Sequence, residues 1–489
     1  MRCVLLLTAA LLLPLVASGC GEVPEAQYSL SDDTLKLISE ARSGMRITVQ
    51  QADGSSERVE IDGVENWLFN LFGTPESPVA WQRLPIDYGG VAGEVAAVTE
   101  GDPSSFTATF TDPPLEVEPG TSLQWVTPGD DLVVSTVSEW DPVSQVLSLT
   151  TELDSPPEAG TQFVLQPADQ LAFGRKLYMT HCMHCHGVAG DGNGPTAKYL
   201  NPRPRDYRQG IFKFTSLKQK VRASRDDLRR VIQYGIPGTY MPSFMLLSEK
   251  EFSAIVEYVR FLSMRGEMEK AMTGLLAGDY SREAVADVKG DERNEMLAAL
   301  AEYLGGGFRE ELSEEATVLA ESWQEVEEPD AAIQPTVARV EDSAESRLRG
   351  RALYLGKKLD CKGCHGVTGE GNGPQTIAYQ EIPGSQPAQK YPAPGLYDAW
   401  NQPIMPRDLT QGIYRGGRRP LDLYRRVHSG VKGTPMAGFA NALTEKDIWD
   451  VVNYVMSIPF EGQQPAAEVS DSEQVASGKT QHGTSGSDR

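Results

Sequence analysis

The chain has 489 residues, with 68 acidic against 45 basic side chains and a formal net charge of −23. That balance argues against a nucleic-acid partner and favours a soluble, acidic surface that steers basic partners. The length allows about three domains, and only six cysteines are present.

The first residues, MRCVLLLTAALLLPLVASGC, run from a basic start through an apolar stretch, broken by Pro14, to a small-residue end. This is the layout of a signal peptide over 1–19, too short for a spanning helix, and it predicts export. Ala17-Ser18-Gly19-Cys20 resembles a bacterial lipobox with alanine where leucine is usual. The resemblance implies cleavage before Cys20, a lipid on Cys20 and anchoring to a bacterial membrane on the periplasmic side. Cleavage without lipid, giving a free periplasmic protein, is the alternative. Residues 20–44 then read as a polar tether with a short helix.

From 45 to 167 the pattern changes to short alternating segments such as RITVQQADGSSERVEI, SLQWVT and QVLSLTTEL, split by Gly, Pro and Asp. Period-two runs of β-branched and aromatic residues predict a small antiparallel β domain. It holds no His or Cys, so docking or spacing is its expected role.

Residues 168–263 and 346–459 are two copies of one helical unit. GRKLY (174–178) matches GRALY (350–354), CHGVAGDGNGP (185–195) matches CHGVTGEGNGP (364–374), RPRDYRQGIF (203–212) matches MPRDLTQGIY (405–414), and GTYM (238–241) matches GTPM (433–436). Order and rough spacing agree, as in a tandem duplication. The second copy adds a Pro-rich loop at 381–400. Residues 264–345 between the copies read as an acidic, partly helical linker. Residues 460–489 form a polar low-complexity tail.

Each copy opens on a Cys-x-x-Cys-His run: Cys182, Cys185 and His186, then Cys361, Cys364 and His365. His181 and His184 have no counterpart in the second copy, so a shared function rests on the two cysteines and the final histidine. That pattern is the attachment site of haem c, in which two thiols bond the porphyrin and the adjacent imidazole binds iron. With Cys3 leaving in the signal and Cys20 taking the lipid, no cysteine remains for a structural disulfide. A four-ligand zinc site and a thioredoxin-like dithiol are the competing readings. Met241 and Met436 occupy the same place in the repeat, each in a Gly/Pro loop before a helix, which suits a second axial ligand better than a core-packing role.

These motifs make each copy resemble a class I cytochrome c domain, with its N-terminal helix, haem motif, distal Met loop and C-terminal helix packed on the first. The fold so implied is multidomain: two mainly α cytochrome c-type domains behind a small antiparallel β domain. The resemblance implies two haem c groups, on Cys182 and Cys185 and on Cys361 and Cys364. Their iron axial ligands are His186 and Met241 in the first and His365 and Met436 in the second. It implies that Gly174 and Tyr178, like Gly350 and Tyr354, line the helix crossing. Three extra residues before Cys361 require the second of these helices to kink or end early. It also implies a proline carbonyl accepting the proximal imidazole N–H, with Pro195 and Pro374 as candidates. Arg205 and Arg407 are candidates to pair with haem propionates. The expected function is single-electron transfer between exported redox partners of a respiratory chain, rather than enzymatic catalysis. A di-haem peroxidase-like enzyme, or a haem subunit of a larger oxidase or dehydrogenase, is the alternative.

Overall fold

In the computed structural model, the described residues are 26–39, 46–50, 56–60, 64–79, 81, 83–99, 102–110, 114, 117–127, 132–150, 157–166, 169–218, 222–280, 288–385 and 387–463. The signal peptide, Cys20 and the tail beyond 463 lie outside them. Among the described residues no helix is long and apolar enough to cross a membrane.

The chain begins with helix α1 (Asp32–Ser39), hairpin β1 (Arg46–Gln50)–β2 (Ser56–Glu60) and helix α2 (Val64–Phe72). Six strands follow: β3 (Val91–Val98), β4 (Ser105–Phe110), β5 (Ser122–Val126), β6 (Leu132–Asp141), β7 (Val146–Leu149) and β8 (Gln162–Leu165). They close an antiparallel barrel in the order β3-β4-β7-β6-β5-β8, with β8 pairing back onto β3. Alternate residues point inward, so Val95, Phe106, Leu123, Trp125, Leu147 and Phe163 form a core of their own.

The expected boundaries shift on both sides of the barrel. The described residues of 64–88, read from sequence as part of the β domain, instead pack on the first helical unit: Leu68, Phe72, Trp81 and Tyr88 are buried in its core with Tyr28 from the tether. The barrel is an excursion from that unit, and its two ends meet where the Gln170 N–H donates to the Tyr88 carbonyl at 3.1 Å.

The first unit contains α3 (Asp169–His181), α4 (Met183–His186), α5 (Arg225–Tyr234) and α6 (Glu249–Tyr280). Helix α6 runs well past the expected end at 263. The acidic segment after it is no bare linker, since α7 (Asp291–Glu302) and α8 (Phe308–Gln324) follow and α8 buries Phe308, Leu312, Ala316 and Trp323 in the same core. Covered on several faces, α6 carries buried charges as well as apolar side chains. They are paired: Arg225 Nε lies 2.5 Å from Glu257 and Arg260 2.8 Å from Glu327. Trp323 Nε1 donates to Glu267 at 2.7 Å. Pairing is what makes such burial tolerable.

The second unit contains α9 (Ala344–Leu355), α10 (Cys361–His365), the short pair β9 (Leu396–Tyr397)–β10 (Pro403–Ile404), α11 (Pro420–Ser429) and α12 (Glu445–Ser457). Helix α9 stops at Leu355, before the haem motif, and the extra residues form a turn closed by Asp360 in the left-handed region, φ 48°.

Both helix crossings depend on a glycine. A Cβ on Gly174 would fall 2.0 Å from the Ala254 carbonyl oxygen, and one on Gly350 would fall 2.0 Å from that of Asp450. Tyr178 and Tyr258 rings then meet at 5.2 Å, and Tyr354 and Tyr454 rings at 5.3 Å. Reciprocal caps start the last helices, Ser248 with Glu251 and Thr444 with Asp447.

Candidate functional site

The haem motif of the first unit is nearly continuous with α3. Cys182 N–H donates to Tyr178 O and His186 N–H to Cys182 O at 2.9 Å. Helical spacing therefore puts Cys182, Cys185 and His186 on one face. The turn that follows folds back on the motif: Gly192 N–H donates to His186 O and Gly194 N–H to Cys185 O. The second unit repeats these bonds from Gly371 to His365 and from Gly373 to Cys364. Tyr178 and Tyr354 hydroxyls fasten the helix to the turn through Gly187 O at 2.7 Å and Gly366 O at 2.8 Å.

The imidazoles are held by a partner that the sequence reading did not choose. His186 Nδ1 lies 3.4 Å from Arg205 O, and His365 Nδ1 lies 3.1 Å from Arg407 O. Pro195 and Pro374 do not fill this role; Pro374 opens a 3-10 turn instead. The acceptor lies further along the chain because the glycine turn carries both prolines past the imidazole before the backbone returns. With Nδ1–H directed at a carbonyl, Nε2 is the nitrogen left for iron. Burial pushes the His186 ring down to about 4 and lowers that of His365, so both are neutral, as ligation requires. Burial also pushes the Cys182 thiol up to about 12 and that of Cys361 to about 11. Unbridged thiols with raised values are not activated as those of a reactive dithiol are, and they are free to form thioethers with a porphyrin. Among the described residues no three His, Cys, Asp or Glu side chains gather as an ion site.

The methionine loops are built alike. Met241 N–H donates to Thr239 Oγ1 and Ile236 N–H to Met241 O, while Met436 N–H donates to Thr434 Oγ1 and Val431 N–H to Met436 O. Gly235, at φ 65°, and Gly430, at φ 73°, pass so close to those methionine carbonyls that a side chain would collide with them. In the first unit His186 and Met241 line one cavity of about 280 Å³, with Cys182 and Cys185 also in its wall and Leu228, Ile232 and Val259 among its apolar residues. Arg205 lines it as well, and its Nε and Nη2 are buried with no acceptor.

This donor set fits haem c: two thiols, a neutral imidazole, a thioether in the same apolar space, and a guanidinium with two nitrogens free for a propionate. Sequence reasoning missed Tyr207, whose hydroxyl donates to Tyr178 OH at 2.6 Å and whose ring lies 5.5 Å from that of His186. Its repeat equivalent, Leu409, gave no signal because it shares only burial. It also missed Asp398, Trp400 and Arg415 of the second unit, which reach the first.

Comparison with known proteins agrees with this geometry. The cytochrome c family model matches residues 171–263 and again 348–459. The chain thus carries two cytochrome c domains in tandem, the class of domain that binds haem c covalently. Among solved structures, a chain of the Kuenenia stuttgartiensis reducing HAO-like protein complex is similar, at 24% identity and a TM-score of 0.40. The match covers 58% of this chain and 95% of that one. No curated protein sequence matches.

Proposed function

We infer that the protein is a di-haem electron-transfer cytochrome, each iron held between the imidazole of its Cys-x-x-Cys-His motif and the thioether of its loop methionine. The observation that carries this reading is the placement of His186 and Met241 in one apolar cavity, with the same loop backbone repeated around Met436. When bound, haem c supplies reversible one-electron chemistry at iron, and a thioether ligand favours the reduced state.

The chain's own part is to hold both axial ligands. The Arg205 and Arg407 carbonyls fix the proximal rings, the Thr239 and Thr434 hydroxyls fix the methionine backbone, and apolar walls exclude water. Two protein ligands per iron leave no place for peroxide or oxygen, which favours a carrier over a peroxidase-like enzyme. Exported redox proteins, or the other subunits of an oxidase or dehydrogenase, are the partners that this role needs. A signal peptide and lipidated Cys20 would keep the relay at a membrane on the periplasmic side, with the barrel as a docking module.

Carbon monoxide tests the reading. The reduced protein is expected to show the spectrum of two low-spin haems and to take up no carbon monoxide rapidly. Rapid binding at either haem would return catalysis to consideration. The mass of the mature chain checks the rest, with two porphyrins added and acyl groups on Cys20.

A further inference from the structure

The two haem domains meet through equivalent residues. Arg230 of α5 lies 3.2 Å from Asp422 of α11. Arg425, which occupies the place of Arg230 in the repeat, is among the charges acting on Asp227, the counterpart of Asp422. Gly416 packs on its own counterpart, Phe214, so closely that a Cβ would fall 2.5 Å from the ring. Equivalent residues placed opposite one another in this way mark an approximate two-fold relation, here between halves of one chain.

Across that interface, one side chain of the second domain lines the first haem cavity and two more pack on Arg205 in its wall. Arg205 lies 3.5 Å from the Trp400 ring and 3.6 Å from Asp398. Arg415 lines the first domain's cavity although it belongs to the second. Nε and Nη2 of Arg205, Nε of Arg415 and Nε1 of Trp400 are all buried without an acceptor.

Nearby carboxylates are already engaged. Asp227 takes Ser216 N–H and Arg230, and Asp398 takes the N–H groups of Trp400 and Gln402 while facing Lys213 at 3.6 Å. Buried N–H groups left unpaired bear their whole desolvation cost, most of all on a cation. The pattern calls for another anion with oxygen acceptors.

We propose that Arg205, Arg415 and Trp400 form a carboxylate site shared by the two domains, which receives a propionate of the first haem and makes that haem's potential depend on the second domain. The inference rests on the haem reading above. A carboxylate near iron favours the oxidised state, and a buried guanidinium beside it offsets that preference. Lys213, the repeat equivalent of Arg415, lines the same cavity and faces Asp398 at 3.6 Å, so its charge is already opposed there.

Potentiometric titration of the full chain tests this. Two one-electron waves are expected, and Met241→His assigns the first-domain wave by displacing it. Arg415→Gln is expected to lower that wave by about tenfold in the reduced-to-oxidised ratio, about 59 mV for one electron, and to leave the other in place. Arg415→Lys should restore most of the shift. Arg418→Gln, an exposed cation on the same loop, should move neither wave. Trp400→Phe keeps a ring against Arg205 but removes the N–H, so it should give a smaller drop in the same wave; it carries the test if Arg415→Gln fails to fold. An unmoved first wave in the variant that folds, equal movement of both waves, or movement of the second alone overturns the shared site. If mass determination found no covalent haem on the unaltered first domain, the haem reading itself would fall; two haems with an unmoved first wave would defeat only the shared site.

Discussion

The two haem domains share one scaffold and differ in what surrounds it. Each has a glycine crossing, a tyrosine fastened to the turn after the haem motif, a carbonyl on the proximal imidazole and a threonine-braced methionine loop. Around these the first domain is wrapped by α1, α2 and α8 and has a last helix of 32 residues, whereas the last helix of the second has 13. Beside its proximal ring the first has Tyr207, whose repeat equivalent in the second is the buried Leu409. Duplication has kept these backbone attachments of the haem motif and let much of each surrounding shell diverge. The axial ligands are therefore expected to behave alike in both domains, while stability and potential differ.

Removing one axial ligand gives the largest effect expected from this comparison. Met241→Ala and Met436→Ala should each open one iron, so that the reduced variant takes up one equivalent of carbon monoxide where the parent takes up none. The double variant should take up two. Flash photolysis of the carbon monoxide adduct measures this directly, and a variant that bound none would show that its methionine is not a ligand.

The glycine crossings come next. Gly174→Ala or Gly350→Ala places a methyl group within contact distance of a helix carbonyl that cannot move without separating the helices. A cost of about 3 kcal/mol is expected. The wrapped first domain should retain its haem spectrum to higher denaturant than the second domain carrying the matching change. Equal loss in both would show that α2 and α8 add nothing to the first crossing. A smaller effect comes from Tyr207→Phe, which deletes a buried hydroxyl donating to Tyr178 and should cost about 1 kcal/mol, read by denaturation followed at the first haem. No second-domain substitution can mimic it, since Leu409 has no hydroxyl.

Most of the haem chemistry was legible because it is local or repeated. Cys-x-x-Cys-His fixes three groups by helical spacing, and a second copy singles out Met241 and Met436 among 13 methionines. Gly174 and Tyr178 could be read because close helix contact leaves a fixed spacing. What failed was distance in the chain. Pro195 was a reasonable acceptor from its position, but the carbonyl at His186 comes from Arg205, brought back by a glycine turn that no periodicity reports. The 64–88 segment reads as a continuation of the β pattern because its helix is short and its partner, α6, lies far away in sequence. Trp400 stood in a loop with no repeat equivalent, so nothing linked it to Arg205.

The last expected effect, read as a pH profile, separates the methionine loops themselves. Where the first repeat has Pro237, the second has Lys432, and burial pushes its ammonium from the ordinary 10.5 down to about 8, with Asp227 of the other domain opposing the shift. A base with a depressed folded value binds its proton less well folded than unfolded, so its charge is a burden on the fold at neutral pH. Between about pH 8 and 10.5 the unfolded chain holds the proton and the folded chain does not, and this side chain's contribution to stability rises with pH across that window. Lys432→Met should stabilise the second domain below pH 8 and flatten its stability across the window relative to the parent, as denaturant titrations at a series of pH values would show. Parallel curves for the two proteins would place the ammonium in water, and the asymmetry between the loops would then have no electrostatic content.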